Sequence, residues 1–172
     1  MKQKFIDLYM DWAERTAQLS YAKRLQVGSI IVKEDRVISM GYNGMPSGWD
    51  NNCEDKEYMV DAGGCISPEE IETQWPFEEW VPTLLRKVRF RLKTKPEVLH
   101  AESNAIAKLA KNSNSGTDAD IFITHAPCME CSKLIFQSGI RRVYYGSQYR
   151  DDSGIKFLQA SGIEVLQIKK DS

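Results

Sequence analysis

The fold is decided by the stretch HAESNAIAKLAKNSNSGTDADIFITHAPCMECSKLIFQSGIRRVYYG (100–146). Apolar residues recur at helical spacing over 101–111 and 128–138, whereas 120–124 and 141–146 are short runs rich in β-branched and aromatic residues. The stretch therefore predicts the order helix, strand, helix, strand. Because strands joined by a helical crossover are usually parallel neighbours with a right-handed connection, this order predicts the parallel part of a sheet.

The segments on either side extend this sheet. Residues 153–161 and 163–168 predict one more helix and one more strand, and residues 1–20 predict an amphipathic helix. The Val- and Ile-rich runs 27–33 and 36–42 flank a two-residue turn, which is typical of an antiparallel hairpin. Together these elements predict an α/β protein, a three-layer α/β/α sandwich around a five-stranded mixed sheet.

Residues 49–97 lack this regularity. They contain Cys53, Cys65, Trp75, Trp80 and the basic run RKVRFRLKTK (86–95), and no clean period runs through them. We expect them to form an insertion within a single domain spanning 1–172. The insertion is predicted to contain one or two short helices that pack against the main domain through aromatic side chains.

Composition limits the possible functions. The chain has 172 residues, and 23 Lys+Arg oppose 24 Asp+Glu to give a formal net charge of −1, which excludes nucleic-acid binding through bulk positive charge. No apolar run approaches the roughly 20 residues of a membrane span. The beginning, MKQKFIDLYMDWAER, lacks a signal-peptide pattern. We therefore expect the cytoplasm, or the host cytoplasm for a viral protein, where cysteines bind metal or react more often than they form disulfides.

The residues that carry chemistry follow the pattern H-A-E … P-C-M-E-C. Cys128 and Cys131 are three apart at a helix start, so both thiols lie on one face, where the helix N-terminus favours thiolates. His100, at the start of the other helix, adds a neutral imidazole. One nitrogen and two sulfurs suit zinc. Because the second histidine, His125, is not an obvious fourth ligand, the pattern predicts an open, catalytic zinc site.

Glu102 is the remaining member of the pattern. Residues two apart in mid-helix point about 200° from each other, so His100 and Glu102 converge only where the chain enters the helix. There Glu102 is predicted to carry protons for water activated by the metal. The alternative for the C-x-x-C pair is a thioredoxin-like redox site, which the proline before Cys128 and the upstream H-A-E disfavour.

With this signature the sequence resembles the zinc-dependent cytidine deaminase superfamily, and GYNGMPSG (41–48) and YRDDS (149–153) resemble segments of its deoxycytidylate (dCMP) deaminases. The resemblance implies a cytidine-deaminase-like fold and hydrolysis of dCMP to dUMP and ammonia, which supplies dUMP for thymidylate synthesis. It also implies a homo-oligomer, expected to be a hexamer, that is activated by dCTP with Mg²⁺ and inhibited by dTTP. Membrane and nucleic-acid partners are not expected.

The resemblance further implies roles for individual residues. Those implied to act in catalysis and zinc binding are Glu102, His100, Cys128 and Cys131. Those implied to contact the substrate are Asn43, Arg24 and Tyr149, with the guanidinium suited to a phosphate. Those implied to contact the allosteric nucleotide are Gly41, Tyr42 and Gly44, because the glycines leave room for backbone amides to face phosphates.

Several alternatives stay open. The basic run 86–95 fits the groove of a deaminase acting on tRNA or single-stranded DNA, although it fits a solvated strand or helix better. A non-enzymatic zinc scaffold requires a fourth ligand and gives Glu102 no role. Cys53 and Cys65 are candidates for a second zinc site. His125 either lines a phosphate pocket or is a packing residue.

Overall fold

The computed structural model describes residues 1–59, 67–149 and 151–169. The helices in these ranges are α1 (Gln3–Ala17), α2 (Pro68–Gln74), α3 (Ala101–Lys111), α4 (Met129–Gln137) and α5 (Ser153–Ala160). The strands are β1 (Gly28–Lys33), β2 (Arg36–Tyr42), β3 (Glu54–Tyr58), β4 (Phe77–Val81), β5 (Arg86–Thr94), β6 (Asp120–His125), β7 (Arg142–Ser147) and β8 (Glu164–Gln167). Every element predicted outside the insertion is present, with its ends shifted by only a few residues.

The main sheet has five strands in the order β2-β1-β6-β7-β8. Strand β1 pairs antiparallel with β2 and with β6, whereas β6, β7 and β8 are parallel. The parallel strands are joined through α4 and α5, as their crossover connections require. The predicted five-stranded mixed sheet is confirmed.

Alternate residues of the central strands enter two separate cores. On one face, Ile31, Ile121 and Val143 pack with buried side chains of α3, α4 and α5. On the other face, Phe122 and Tyr144 stack with ring centroids 4.5 Å apart in the core that contains α1. Because successive strand residues point to opposite faces, one sequence run builds both cores. The predicted three-layer sandwich is confirmed.

Two glycines bring helix backbone into direct contact with the sheet. A Cβ atom at Gly28 would overlap the Ala13 carbonyl oxygen of α1. A Cβ atom at Gly41 would overlap the Ala101 carbonyl oxygen of α3. Only glycine permits these contacts, so the distance from the sheet to each of these helices is set by main chain.

The insertion contains a second sheet, which the sequence did not predict. Strands β3, β5 and β4 form an antiparallel three-stranded sheet in that order. The expected short helix is present as α2, which Ser67 and Glu70 begin with a reciprocal capping box. The expectation of helices alone was therefore wrong, because β3 (EDKEY) and β4 (FEEWV) carry charges where a half-buried strand usually carries apolar residues.

Charge pairing across the strands explains this second sheet. The basic run forms β5, in which Val88 and Phe90 are buried. Arg89 lies opposite Glu78 with an N–O distance of 3.1 Å, and Arg91 lies opposite Glu57 at 2.7 Å. Opposite charges directly across a strand pair stabilise a sheet. Two of the arginines are thus paired within the protein, which disfavours the run as a nucleic-acid groove.

Within the described ranges, no helix is both long enough and apolar enough to span a bilayer. Cys53 is a buried free thiol whose Sγ lies 3.5 Å from the Asn51 carbonyl oxygen. Cys65 lies outside the described residues, so the structure does not test whether Cys53 and Cys65 belong to a second zinc site.

Candidate active site

Two helix starts bring the predicted metal ligands together. His100 is the residue before α3 and Cys128 the residue before α4, and both have extended backbone there. The Nδ1 atom of His100 lies 3.5 Å from the Cys128 Sγ and 3.4 Å from the Cys131 Sγ. In the described part of the chain, this trio is the one group of metal-binding side chains whose ligand atoms all lie within 4.8 Å of one another.

The ionisation of the two sulfurs suits a cation. Hydrogen bonds from Cys131 and then His100 lower the pKa of the Cys128 thiol to about 3. The hydrogen bond to Cys128, together with burial, raises the pKa of Cys131. The environment thus favours the thiolate form of Cys128, which is the form that binds a metal. Two sulfurs and one imidazole nitrogen at these separations fit zinc.

Glu102 lies beside this cluster in the first turn of α3. Because His100 has extended rather than helical backbone (φ −72, ψ 155), the divergence of helical residues two apart does not apply, and the predicted convergence is confirmed. Glu102 is only 4% exposed. Burial raises its pKa to about 7, which is the value that a group must have to accept and return protons near neutral pH.

A cavity of about 340 Å³ opens onto the cluster. The predicted site residues that line it are Arg24, Asn43, His100, Glu102, Cys128 and Tyr149. The structure therefore brings together every predicted metal, catalytic and substrate-binding residue, with Cys131 buried directly behind the wall.

Asn43 also holds the loop that carries Arg24. Its Oδ1 atom accepts a hydrogen bond of 2.8 Å from the Val27 N–H, and its Nδ2 atom donates one of 2.8 Å to the Leu25 carbonyl. An amide nitrogen has two hydrogens, so one N–H of Asn43 remains for a ligand. Asn43 thus lines the cavity and also fixes the conformation of the loop that carries Arg24.

The surroundings of Gly41, Tyr42 and Gly44 are defined by contacts with the start of α3, and their contacts with an effector stay a prediction. The space beside Gly41 is filled by α3, and the N–H and carbonyl of Gly44 are both bonded to Leu99. The Tyr42 carbonyl accepts a hydrogen bond of 2.9 Å from the Asn104 Nδ2. These contacts hold the start of α3, and thereby His100, in place.

Glu54 and Thr94 are site residues that sequence reasoning missed. They face each other across β3 and β5 of the second sheet, and both line the cavity. The Glu54 Oε1 atom accepts hydrogen bonds from the N–H groups of Lys23, at 2.9 Å, and Arg24, at 3.2 Å. The Arg24 guanidinium donates to the Thr94 Oγ1 at 3.0 Å. The position of Glu54 directly after Cys53 was the only signal, and it did not indicate a role in the cavity.

His125 lies at the cavity, and a contact between it and a phosphate stays a prediction. Its ring lines the cavity, and its Nδ1 atom lies 3.0 Å from the Thr124 Oγ1. Burial lowers the pKa of His125. Burial therefore favours the neutral form of this imidazole.

The fold and the metal cluster together define a class, the zinc-dependent deaminases acting on nucleobases. Residues 3–147 match the family model described as the cytidine and deoxycytidylate deaminase zinc-binding region, and the chain belongs to this family.

More particular similarities are to deoxycytidylate deaminases. The chain is 34% identical over 158 residues to the deoxycytidylate deaminase of Enterobacteria phage T4, covering 84% of this chain and 80% of the relative. The Homo sapiens deoxycytidylate deaminase is 33% identical over 155 residues, covering 86% and 71%. The crystal structure of the cyanophage S-TIM5 dCMP deaminase in complex with dCMP and dUMP aligns with a TM-score of 0.73 and 36% identity, covering 98% of this chain and 99% of that chain.

Proposed function

We propose that the protein hydrolyses dCMP to dUMP and ammonia. The observation that carries the proposal is the buried Glu102 beside the His100, Cys128 and Cys131 cluster at the wall of one cavity. The deoxycytidylate deaminases described above are similar over most of the chain, and one of them binds dCMP and dUMP. These similarities support the pyrimidine nucleotide as the substrate.

The chain's own residues account for the proton transfers. Zinc, when held by His100, Cys128 and Cys131, supplies the Lewis acidity that makes water a nucleophile at neutral pH. Glu102 accepts a proton from the water that attacks C4 of cytosine and passes it to N3. Glu102 then takes the remaining proton from the hydroxyl group on C4 and transfers it to the amine, so that the C4–N bond breaks, a C4 carbonyl forms and ammonia leaves. A carboxyl with a pKa of about 7 accepts and donates with nearly equal ease.

The rest of the cavity is proposed to orient the nucleotide. The Arg24 guanidinium, held by Thr94, offers its other N–H groups to the 5′-phosphate. The free N–H of Asn43 is directed to the sugar or base. Tyr149, which is 44% exposed, forms a wall at the edge of the cavity.

We also propose the finer properties that the family resemblance implies. They are supply of dUMP for thymidylate synthesis in the cytoplasm (the host cytoplasm for a viral protein), a homohexamer, activation by dCTP and inhibition by dTTP. Mg²⁺ enters as the companion ion of the triphosphate. Residues 1–172 act as one domain, in which the 49–97 insertion completes the cavity through Glu54 and Thr94.

The test is a comparison of substrates with purified, zinc-loaded protein. Conversion to uracil is followed for dCMP, CMP, deoxycytidine and a cytosine-containing oligonucleotide, and zinc is quantified per chain. We expect one zinc and the highest kcat/KM for dCMP. Preference for the oligonucleotide would favour the nucleic-acid deaminase. Bound zinc without turnover of any substrate would favour the scaffold.

Regulation is tested with the same assay. We expect dCTP with Mg²⁺ to lower the apparent KM for dCMP and dTTP to raise it, in a protein whose mass in solution corresponds to an oligomer. Coupling between sites is typically about 5- to 150-fold in affinity. Hyperbolic kinetics that neither triphosphate changes, in protein shown to be oligomeric, would contradict the regulatory part of the proposal.

A further inference from the structure

We propose that Glu54, on the second sheet, binds the 3′-hydroxyl of the substrate sugar through its Oε2 atom. This inference rests on the proposed function, since it assumes a cytosine nucleotide in the cavity. It gives the insertion a part in substrate recognition.

The two carboxylate oxygens of Glu54 have different surroundings. The Oε1 atom accepts hydrogen bonds from the N–H groups of Lys23 and Arg24. The Oε2 atom is buried, and none of the described residues donates a hydrogen bond to it. Glu54 as a whole is 4% exposed and lines the cavity. A buried carboxylate oxygen without a donor is costly, so this atom indicates a donor on the ligand.

The chemistry of a deoxycytidine monophosphate leaves one donor for this position. Its phosphate oxygens, and the O2 and N3 atoms of cytosine, are acceptors. Its exocyclic amine is the group that leaves, so it must lie at the metal cluster beside Glu102. The 3′-hydroxyl remains, and a hydroxyl donating to a carboxylate makes a short, strong hydrogen bond.

The position of Glu54 relative to Arg24 agrees with this assignment. The carboxylate holds the main chain of Arg24, and Thr94, directly opposite Glu54 in the sheet, holds the Arg24 guanidinium. The 3′-hydroxyl and the 5′-phosphate belong to the same sugar. A phosphate bound by Arg24 therefore brings the 3′-hydroxyl to the same end of the cavity, away from the base.

The test compares dCMP with 2′,3′-dideoxycytidine 5′-monophosphate, which lacks only the 3′-hydroxyl. For the wild-type holoenzyme we expect kcat/KM to fall by about 10- to 100-fold on the dideoxy substrate, the value of a hydrogen bond to a charged group. In Glu54→Gln the activity on dCMP falls, and the ratio between the two substrates falls severalfold below the wild-type ratio, because the hydrogen bond no longer involves a charge. Asp55→Asn, an exposed carboxylate on the same strand, should keep the wild-type ratio.

Each result is decisive. Equal kcat/KM for the two substrates in the wild type would overturn the inference while leaving dCMP deamination standing. A large ratio that Glu54→Gln leaves unchanged would also overturn it, since another group would then read the hydroxyl. The wild-type comparison holds even if the variant fails to fold. Absence of dCMP turnover in the zinc-loaded wild type would overturn the proposed function itself, and this inference with it.

Discussion

The two sheets of this protein are stabilised in opposite ways. The main sheet buries apolar side chains on both faces, and Ile31, Phe122 and Val143 are fully inaccessible to solvent. The second sheet has few buried apolar residues and pairs opposite charges across its strands, as between Arg91 and Glu57. The metal cluster and Glu102 lie at the starts of helices that pack on the main sheet. The second sheet borders the cavity through Glu54 and Thr94, and we call this part the substrate end. The two sheets that border the cavity are thus stabilised by different forces.

The largest effect is expected where the chemistry lies. Glu102→Gln should lower kcat for dCMP by about 10²- to 10⁴-fold, because the amide cannot carry protons. Zinc content and fold should be unchanged, since Glu102 is not a ligand. Steady-state kinetics and metal analysis measure both. Glu130→Gln, at an exposed position at the start of α4, is the matched control. Turnover of Glu102→Gln within a few-fold of wild type would remove Glu102 from the mechanism.

The difference in packing between the two sheets is tested by truncating one aromatic ring in each sheet. Phe122→Ala should destabilise the protein by about 3–5 kcal/mol, because the ring is fully buried and stacked on Tyr144. Phe90→Ala in the second sheet should reduce the free energy of unfolding by less, because the apolar core around Phe90 is small and the void left by the ring can collapse. Urea unfolding of both variants measures the free energies. Equal costs would show that the two sheets are equally well packed.

The assignment of binding to the substrate end of the cavity predicts a selective defect. Arg24→Ala should lower kcat/KM for dCMP by about 10- to 100-fold, because a charged hydrogen bond to phosphate is lost. Deoxycytidine, which has no phosphate, should be processed as before. Lys23→Ala is the control, because this neighbour gives Glu54 only its backbone N–H. An equal loss on both substrates would mean that Arg24 supports the loop rather than the phosphate.

The smallest effect concerns the charge pairs of the second sheet. Arg89→Gln should reduce the free energy of unfolding by about 0.2–1 kcal/mol, and added salt should diminish the difference from wild type. Urea unfolding at low and high salt measures this. Lys156→Gln, which removes an exposed helical pair with Asp152, provides the comparison. A loss of several kcal/mol at Arg89 would show that the pairs act as a buried network.

The sequence predicted the main sheet and the metal cluster because each leaves a local pattern. Periodicity identifies α3 and β6, and the spacing of His100, Cys128 and Cys131 at two helix starts identifies the ligands. The second sheet left no such pattern, since its strands are stabilised by partners distant in sequence. The Arg24–Thr94 contact joins residues 70 positions apart. The sequence analysis singled out Gly41 as an effector contact. The close approach of α3, which requires a glycine at this position, depends on tertiary packing and leaves no pattern in the sequence.

That contact at Gly41 has a consequence for how the protein tolerates change. Side-chain packing adjusts through new rotamers, so a core substitution usually shifts the elements around it. A contact between two main-chain segments has no such freedom. At Gly41, the absence of a Cβ atom sets the distance to Ala101, the residue next to His100. Substitutions in the surrounding core are therefore expected to change the geometry of the metal centre little. The same contact makes it vulnerable at one glycine that touches neither ligand nor substrate.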